Sequence, residues 1–292
     1  MKLLTIDSRE VGGRPGVLLD SGEILDLAAA PNTLSESQWI PYSVVSVLAA
    51  GQDGLERIAR LVASVRRTTG AARERLVSEG VLLPYAATEL LAPVRRPGLI
   101  LVIGADSSAH MKSPNSSVGN NVSVSIPSNI EDKLTGAGML GAVIGRSIYQ
   151  ASPDEAAAAI AGYTLMIDLS LPEPAANAPL GEWQRYWESK QFPGACPIGP
   201  AIITKDELPD PGGLEATVRI NDVEVGVGSL CSGSMSIAAR LARVSRRFSF
   251  RPGDLLVVEC SAENVGGPRS LSIGDEYTLN LPQLMELSVI LT

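Results

Sequence analysis

Apolar residues in this chain gather in short runs at two spacings. Runs of strand length lie at residues 2–6, 16–19 and 23–25, with Asp20-Ser21-Gly22 as a turn between the last two. From Val44 to Arg67 the spacing changes. Val44, Leu48, Leu55, Ile58, Leu61, Val62 and Val65 recur at helical intervals, which predicts one helix ending in Arg66-Arg67 ahead of Gly70. A shorter helix is expected over 71–77.

Two further apolar runs, 140–146 and 162–168, flank Ser152-Pro153-Asp154-Glu155. That tetrapeptide is a helix start, with a capping serine, proline at the first helical position and two acids in the first turn. Strands are expected at 99–103, 200–204, 216–220, 224–227, 255–260, 276–279 and 286–291, with a helix over 234–244 and Asn221-Asp222 in a tight turn. The polar stretches 111–129 and 172–191 read as loops. Gly136-Ala137-Gly138 lacks the strand–turn–helix setting of a nucleotide-binding loop. Residues 89–97 are punctuated by proline and read as a linker. The expected class is therefore α+β, with a small N-terminal α+β domain over 1–91 and a larger domain over 92–292.

Composition narrows the function. Only 4% of the 292 residues are aromatic, so the core rests on aliphatic side chains. A formal charge of −8 disfavours nucleic acid or an anionic membrane as the main partner. No apolar run approaches the ~18 residues of a membrane span, and Asp7 comes too early for a signal peptide. Cys196, Cys231 and Cys260 are odd in number and scattered, which points to a reducing compartment, so a cytoplasmic location is expected. Asp168 stands alone at the end of an apolar run. A carboxylate there must be paired, protonated or ligand-bound, because a bare buried charge is very costly.

Several phrases carry a resemblance. Val143-Ile144-Gly145-Arg146, Gly162-Tyr163-Thr164, Asp168 with Ser170, and the series Lys190, Phe192, Gly194, Pro197, Gly199-Pro200 follow one another as in the fumarylacetoacetate hydrolase family. The opening Lys2-Leu3 and Gly16-Val17-Leu18-Leu19, and Pro252-Gly253-Asp254 near the end, are similar too. The resemblance implies a mixed-sheet β-roll catalytic domain, a homodimer and a small-molecule substrate. It also implies C–C hydrolysis, decarboxylation, tautomerisation or hydration through metal-bound enolates. In that family two glutamates and an aspartate hold the metal, normally Mg²⁺ or Ca²⁺. The aspartate position is Asp168, but the glutamate positions are Ala137 and Met139. Alanine offers no donor and a thioether is too soft for Mg²⁺. The expectation is accordingly that no cofactor is used.

By the same resemblance His110 falls on the catalytic histidine, in Gly104-Ala105-Asp106-Ser107-Ser108-Ala109-His110, where Asp106-Ser107 replaces Asn-Tyr. Lys190 matches the lysine that contacts substrate oxygens. The family's arginine falls at Pro172, and the loop where the family prefers Thr-Gly-Thr-Pro is Ser261-Ala262-Glu263-Asn264-Val265-Gly266-Gly267 here. His110 is the one histidine of the chain, which excludes a multi-histidine metal site. A lone histidine is more often structural. Most lysines are solvated, so burial would set Lys190 apart; it would then stabilise an enolate or act as an amine nucleophile. Cys196 near Lys190 suggests a thiol nucleophile, but a buried cysteine is more often inert. Arg185 and Trp187 belong to an aromatic cluster with Trp183 and Tyr186, which would line a substrate site or pack a subunit interface. The basic series Arg240, Arg243, Arg246 and Arg247 reads as a solvated face.

The expected function is an enzyme on an enolisable 1,3-dicarbonyl, 2-oxo acid or polyketide-like substrate, in a specialised biosynthetic pathway. His110, Lys190 and Asp168 form the catalytic set. Asp106, Ser107, Arg185, Trp187, Cys196, Ser261 and Glu263 are the substrate-binding candidates. Two other readings stay open. One is a non-catalytic homologue that binds through the inherited pocket. The other is a hydrolase with metal ligands relocated to acids such as Asp106 and Asp168.

Overall fold

The structure is a computed structural model that describes residues 1–8, 13–34, 40–104, 108–127, 134–172, 181–229, 235–259 and 269–292. The chain opens with an antiparallel meander of β1 (Lys2–Ile6), β2 (Arg14–Leu18) and β3 (Glu23–Asp26), followed by α1 (Ala30–Thr33). The helical periodicity from Val44 to Arg67 forms two helices rather than one, α2 (Val44–Ala49) and α3 (Gly51–Arg67). Gly51 takes φ +61°, outside the right-handed helical region, so the axis breaks there while the apolar stripe continues. Ile58, Leu61, Val62 and Val65 are buried, as their spacing predicts. Next come α4 (Ala71–Ser78), β4 (Leu82–Pro84) and β5 (Leu90–Leu91). β5 lies in the stretch expected as linker and pairs with Thr5 and Ile6.

Next come β6 (Ile100–Ile103), β7 (Ala109–Lys112), β8 (Ser117–Val118), β9 (Val122–Val124) and β10 (Leu134–Ile144). Residues 111–129 are thus not a plain loop. β7 closes a hairpin with its sequence neighbour β6, while β8 and β9 pair in parallel with the remote β12 (Cys196–Thr204) and β18 (Met285–Leu291). Such pairing leaves no local apolar signal. α5 (Pro153–Ala159) starts in a full capping box of Ser152 and Glu155, as predicted, and feeds β11 (Ile160–Ser170). The hairpin of β10 and β11 runs eleven residues on each side and holds Gly136-Ala137-Gly138 within a strand.

α6 (Glu182–Glu188) precedes β12. β13 (Glu215–Ile220) and β14 (Val223–Ser229) turn at Asn221 and Asp222, both with positive φ. α7 (Ile237–Ser245), β15 (Leu255–Glu259), β16 (Arg269–Leu271) and β17 (Glu276–Leu281) lead to the closing β18. On α7 the expected basic solvated face is only partial. Arg240 is buried and donates through Nε to the Met235 carbonyl, whereas Arg246 and Arg247 are exposed.

Among the described residues the strands form two sheets. The larger has 13 strands, and its main path runs β4-β3-β2-β1-β12-β11-β10-β15-β6-β7. The smaller has five strands, ordered β14-β13-β17-β18-β9. The class is α+β, as expected. The central strands of the large sheet are buried on both faces. On β11, Leu165, Ile167 and Leu169 pack into one apolar cluster, while Met166 joins Ala137, Met139 and Cys196 in another. Alternation along the strand places Asp168 on the Met166 side. No helix among the described residues is long and apolar enough to cross a membrane.

Candidate active site

β7 follows the two-residue alternation of an edge strand. Ala109 and Met111 face outward, while His110 and Lys112 are buried on one side. The register sets His110 opposite Val102 and Lys112 opposite Ile100. Lys112 is 1% exposed. Its Nζ ion-pairs with Asp168 Oδ1 and donates to the carbonyls of Ala195 at 2.7 Å and Leu169 at 3.2 Å. The other carboxylate oxygen, Oδ2, receives Lys190 Nζ at 2.8 Å, and Lys190 also donates to Ser170 Oγ at 2.7 Å. One buried carboxylate therefore lies between two ammonium groups that come from different elements.

The electrostatics follow from that arrangement. Burial alone would raise the Asp168 carboxyl, but Lys112 first and Lys190 second outweigh it and hold it at about 2 instead of 3.8. His110 moves from 6.5 down to about 4. Burial is the main cause; Asp168 opposes it, and the Lys190 and Lys112 charges reinforce it. The imidazole is thus neutral at physiological pH. Its Nε2 is buried and has no hydrogen-bond partner among the described residues. The Tyr186 ring on α6 meets the imidazole edge-on at 5.3 Å between centroids, and Lys190 Nζ lies 5.0 Å from the same Tyr186 ring.

The structure brings together the three expected catalytic residues, His110, Asp168 and Lys190. It adds Lys112 and Ser170, which sequence reasoning missed. Ser170 lay within a recognised phrase. Lys112 could have been found as the second inward position of a His-x-Lys strand, had the segment not been read as loop. Asp106, Ser107, Ser261 and Glu263 lie outside the described residues. Arg185 is half-buried on α6. Trp187, expected at the substrate site, is instead exposed and stacked on Trp183, one helical turn away. Tyr186 is the aromatic residue that reaches His110. The idea of a Cys196 nucleophile is corrected as well. The thiol is fully buried against Met166 Sδ at 3.3 Å, and burial pushes it up to about 12, so it stays protonated.

The described donors were tested against a divalent ion. Ala137 is the direct Cα partner of Asp168, and Met139 stands between Met166 and Glu259 in the register. Neither Ala137 nor Met139 brings an oxygen, and both Asp168 oxygens already face ammonium groups. Among the described residues no group of three or more His, Cys, Asp or Glu side chains could hold a metal. This donor set does not fit Mg²⁺ or Mn²⁺, which take several oxygen ligands.

The chain belongs to the fumarylacetoacetate hydrolase family, since residues 103–290 match the family model for the fumarylacetoacetate (FAA) hydrolase C-terminal region. An uncharacterized protein of Staphylococcus aureus strain USA300 is 26% identical over 241 residues, 77% of this chain and 79% of the relative. Among solved structures, maleylpyruvate hydrolase from Sphingobium sp. SYK-6, in complex with manganese(II) and pyruvate, has the same fold with a TM-score of 0.74. That match is 21% identical and covers 100% of this chain and 99% of the other. A probable 2-hydroxyhepta-2,4-diene-1,7-dioate isomerase from Mycobacterium abscessus also scores 0.74, at 23% identity over 100% and 98% of the two chains.

The manganese in the maleylpyruvate hydrolase structure overturns the expectation that no cofactor is called for. That expectation rested on Ala137 and Met139 alone. The acids at 106, 131, 132 and 263 lie outside the described residues.

Proposed function

We propose that the protein is an enzyme on a small oxo acid whose carbonyl can enolise, with His110 moving the proton. The observation that carries this reading is the His110 imidazole, neutral and buried, with Nε2 unpartnered among the described residues and beside two ammonium groups. A buried polar nitrogen without a partner costs about 1–3 kcal/mol, and a substrate hydrogen reaching Nε2 would remove that cost. The substrate chemistry draws support from the hydrolase and isomerase of the same fold, the first of them solved with pyruvate.

The steps belong to this chain's own groups. The Nε2 lone pair takes a proton from the carbon next to the carbonyl. The electron pair moves onto the carbonyl oxygen, where the Lys190 ammonium stabilises the enolate in a water-poor site. Asp168 stabilises the imidazolium that forms. Tyr186 covers the histidine. Reprotonation of the enolate at another carbon completes an isomerisation; in cleavage or decarboxylation the same site would hold the enolate left when the C–C bond breaks, and the imidazolium would protonate it.

The test is exchange of the pyruvate methyl protons in D₂O, followed by NMR. The protein should accelerate it, and His110→Ala should lose about 10²-fold or more of that acceleration. Failure of the parent protein to exchange pyruvate and longer 2-oxo acids would sink the reading.

A further inference from the structure

The site described above pairs Asp168 twice, and the two lysines are not equivalent. Lys112 is sealed, with three oxygen partners in Asp168 Oδ1, Leu169 O and Ala195 O. Lys190 lies nearer the surface, with an 11% exposed side chain, and faces Tyr186, the ring that also meets His110. In a simple buried pair, a lysine that turned to a substrate oxyanion would strand its carboxylate. That loss is severe, because an uncompensated buried charge costs several kcal/mol.

We propose that Lys112 is a positioning residue that keeps Asp168 paired, so that Lys190 can pass its ammonium from Asp168 to the substrate's oxyanion. The idea rests on the reading of Lys190 as the enolate-stabilising group and goes beyond it, since it assigns a role to a residue that touches no substrate. It also explains why a fully buried lysine is spent on a carboxylate that already has a partner. The described groups facing Asp168 sum to one negative and two positive charges, with His110 neutral.

The experiment compares the parent with Lys112→Met and with Lys112→Met/Asp168→Asn, using pyruvate as the probe. Binding is measured by calorimetry, and the ζ-ammonium signals of ¹⁵N-lysine-labelled protein are followed by NMR. In K112M, pyruvate should bind about 10²-fold more weakly, the cost of baring the carboxylate. Hydrogen exchange of the Lys190 ammonium should slow even without pyruvate, because the carboxylate has one cation left. Adding D168N should restore the affinity lost in K112M, a recovery that a merely structural lysine would not give. Unchanged Lys190 exchange in K112M, or a loss of affinity that D168N does not relieve, overturns the proposal. If the parent itself does not bind pyruvate, the oxo-acid reading fails, while the exchange comparison still decides the role of Lys112. Should K112M not fold, Lys112→Ala supplemented with ethylammonium takes its place, and recovery of the parent's Lys190 exchange is the expected result.

Discussion

Tyr186 stands edge-on to His110, with the two ring centroids 5.3 Å apart and the planes at 83°. A short helix thereby lays one aromatic ring over the chain's single histidine, and that cover contributes to the burial that holds the imidazole at about 4. Tyr186→Ala should readmit water and move the His110 midpoint up toward 6.5. With one histidine present, a proton NMR titration reads the change without assignment. An unchanged midpoint would mean that the β-sheet side alone desolvates the ring.

His110 also makes stability depend on pH. Its folded value, about 4, lies below its ordinary 6.5, so between these values the unfolded chain holds the extra proton. The contribution is fully present above 6.5 and is lost as pH falls toward 4, amounting to at most about 3 kcal/mol. Asp168 acts in the same direction but lower, from 3.8 down to about 2. His110→Asn should remove the upper part of the acid limb and leave the lower part. Urea denaturation at several pH values between 4 and 7 checks it.

Asp168 is the one group in the cluster whose loss bares two cations. Asp168→Asn takes from the buried Lys112 and Lys190 the carboxylate they share, and it should destabilise the fold by about 3–5 kcal/mol. Equilibrium unfolding at neutral pH measures this. A loss under 1 kcal/mol would show that solvent or another acid reaches both lysines.

Much of this was legible in the residues, and the failures have physical causes. The pair of long strands around α5 could be read because Ser152, Pro153 and Glu155 announce a helix locally and the glycine-punctuated apolar runs on either side are continuous. β8 and β9 could not, since their polar residues gain their pairing from strands far away in sequence, and β7 could not, since its inward positions are the polar His110 and Lys112 rather than apolar residues. That misreading hid Lys112. The helix break at Gly51 was masked because the apolar stripe keeps its phase across it. Among the aromatics of α6, only helical phase separates the roles: Trp183 and Trp187 share one face and stack, while Tyr186 turns to the site.

Lys190 and Lys112 offer a last contrast. Lys190→Met removes the donor proposed for the enolate oxygen, yet Asp168 keeps Lys112 and both carbonyl contacts of Lys112 remain. Proton exchange of pyruvate should therefore fall about 10²–10³-fold, the usual cost of one lost oxyanion donor, while the unfolding free energy falls by less than in Lys112→Met. Lys112→Met strips two carbonyls and the carboxylate of a fully buried partner, so its stability loss should be the larger, about 3 kcal/mol. Exchange rates and urea midpoints measured on the two variants side by side make the comparison. Equal stability losses would mean that the two lysines share Asp168 evenly. Unaltered exchange in Lys190→Met would place the oxyanion elsewhere in the site.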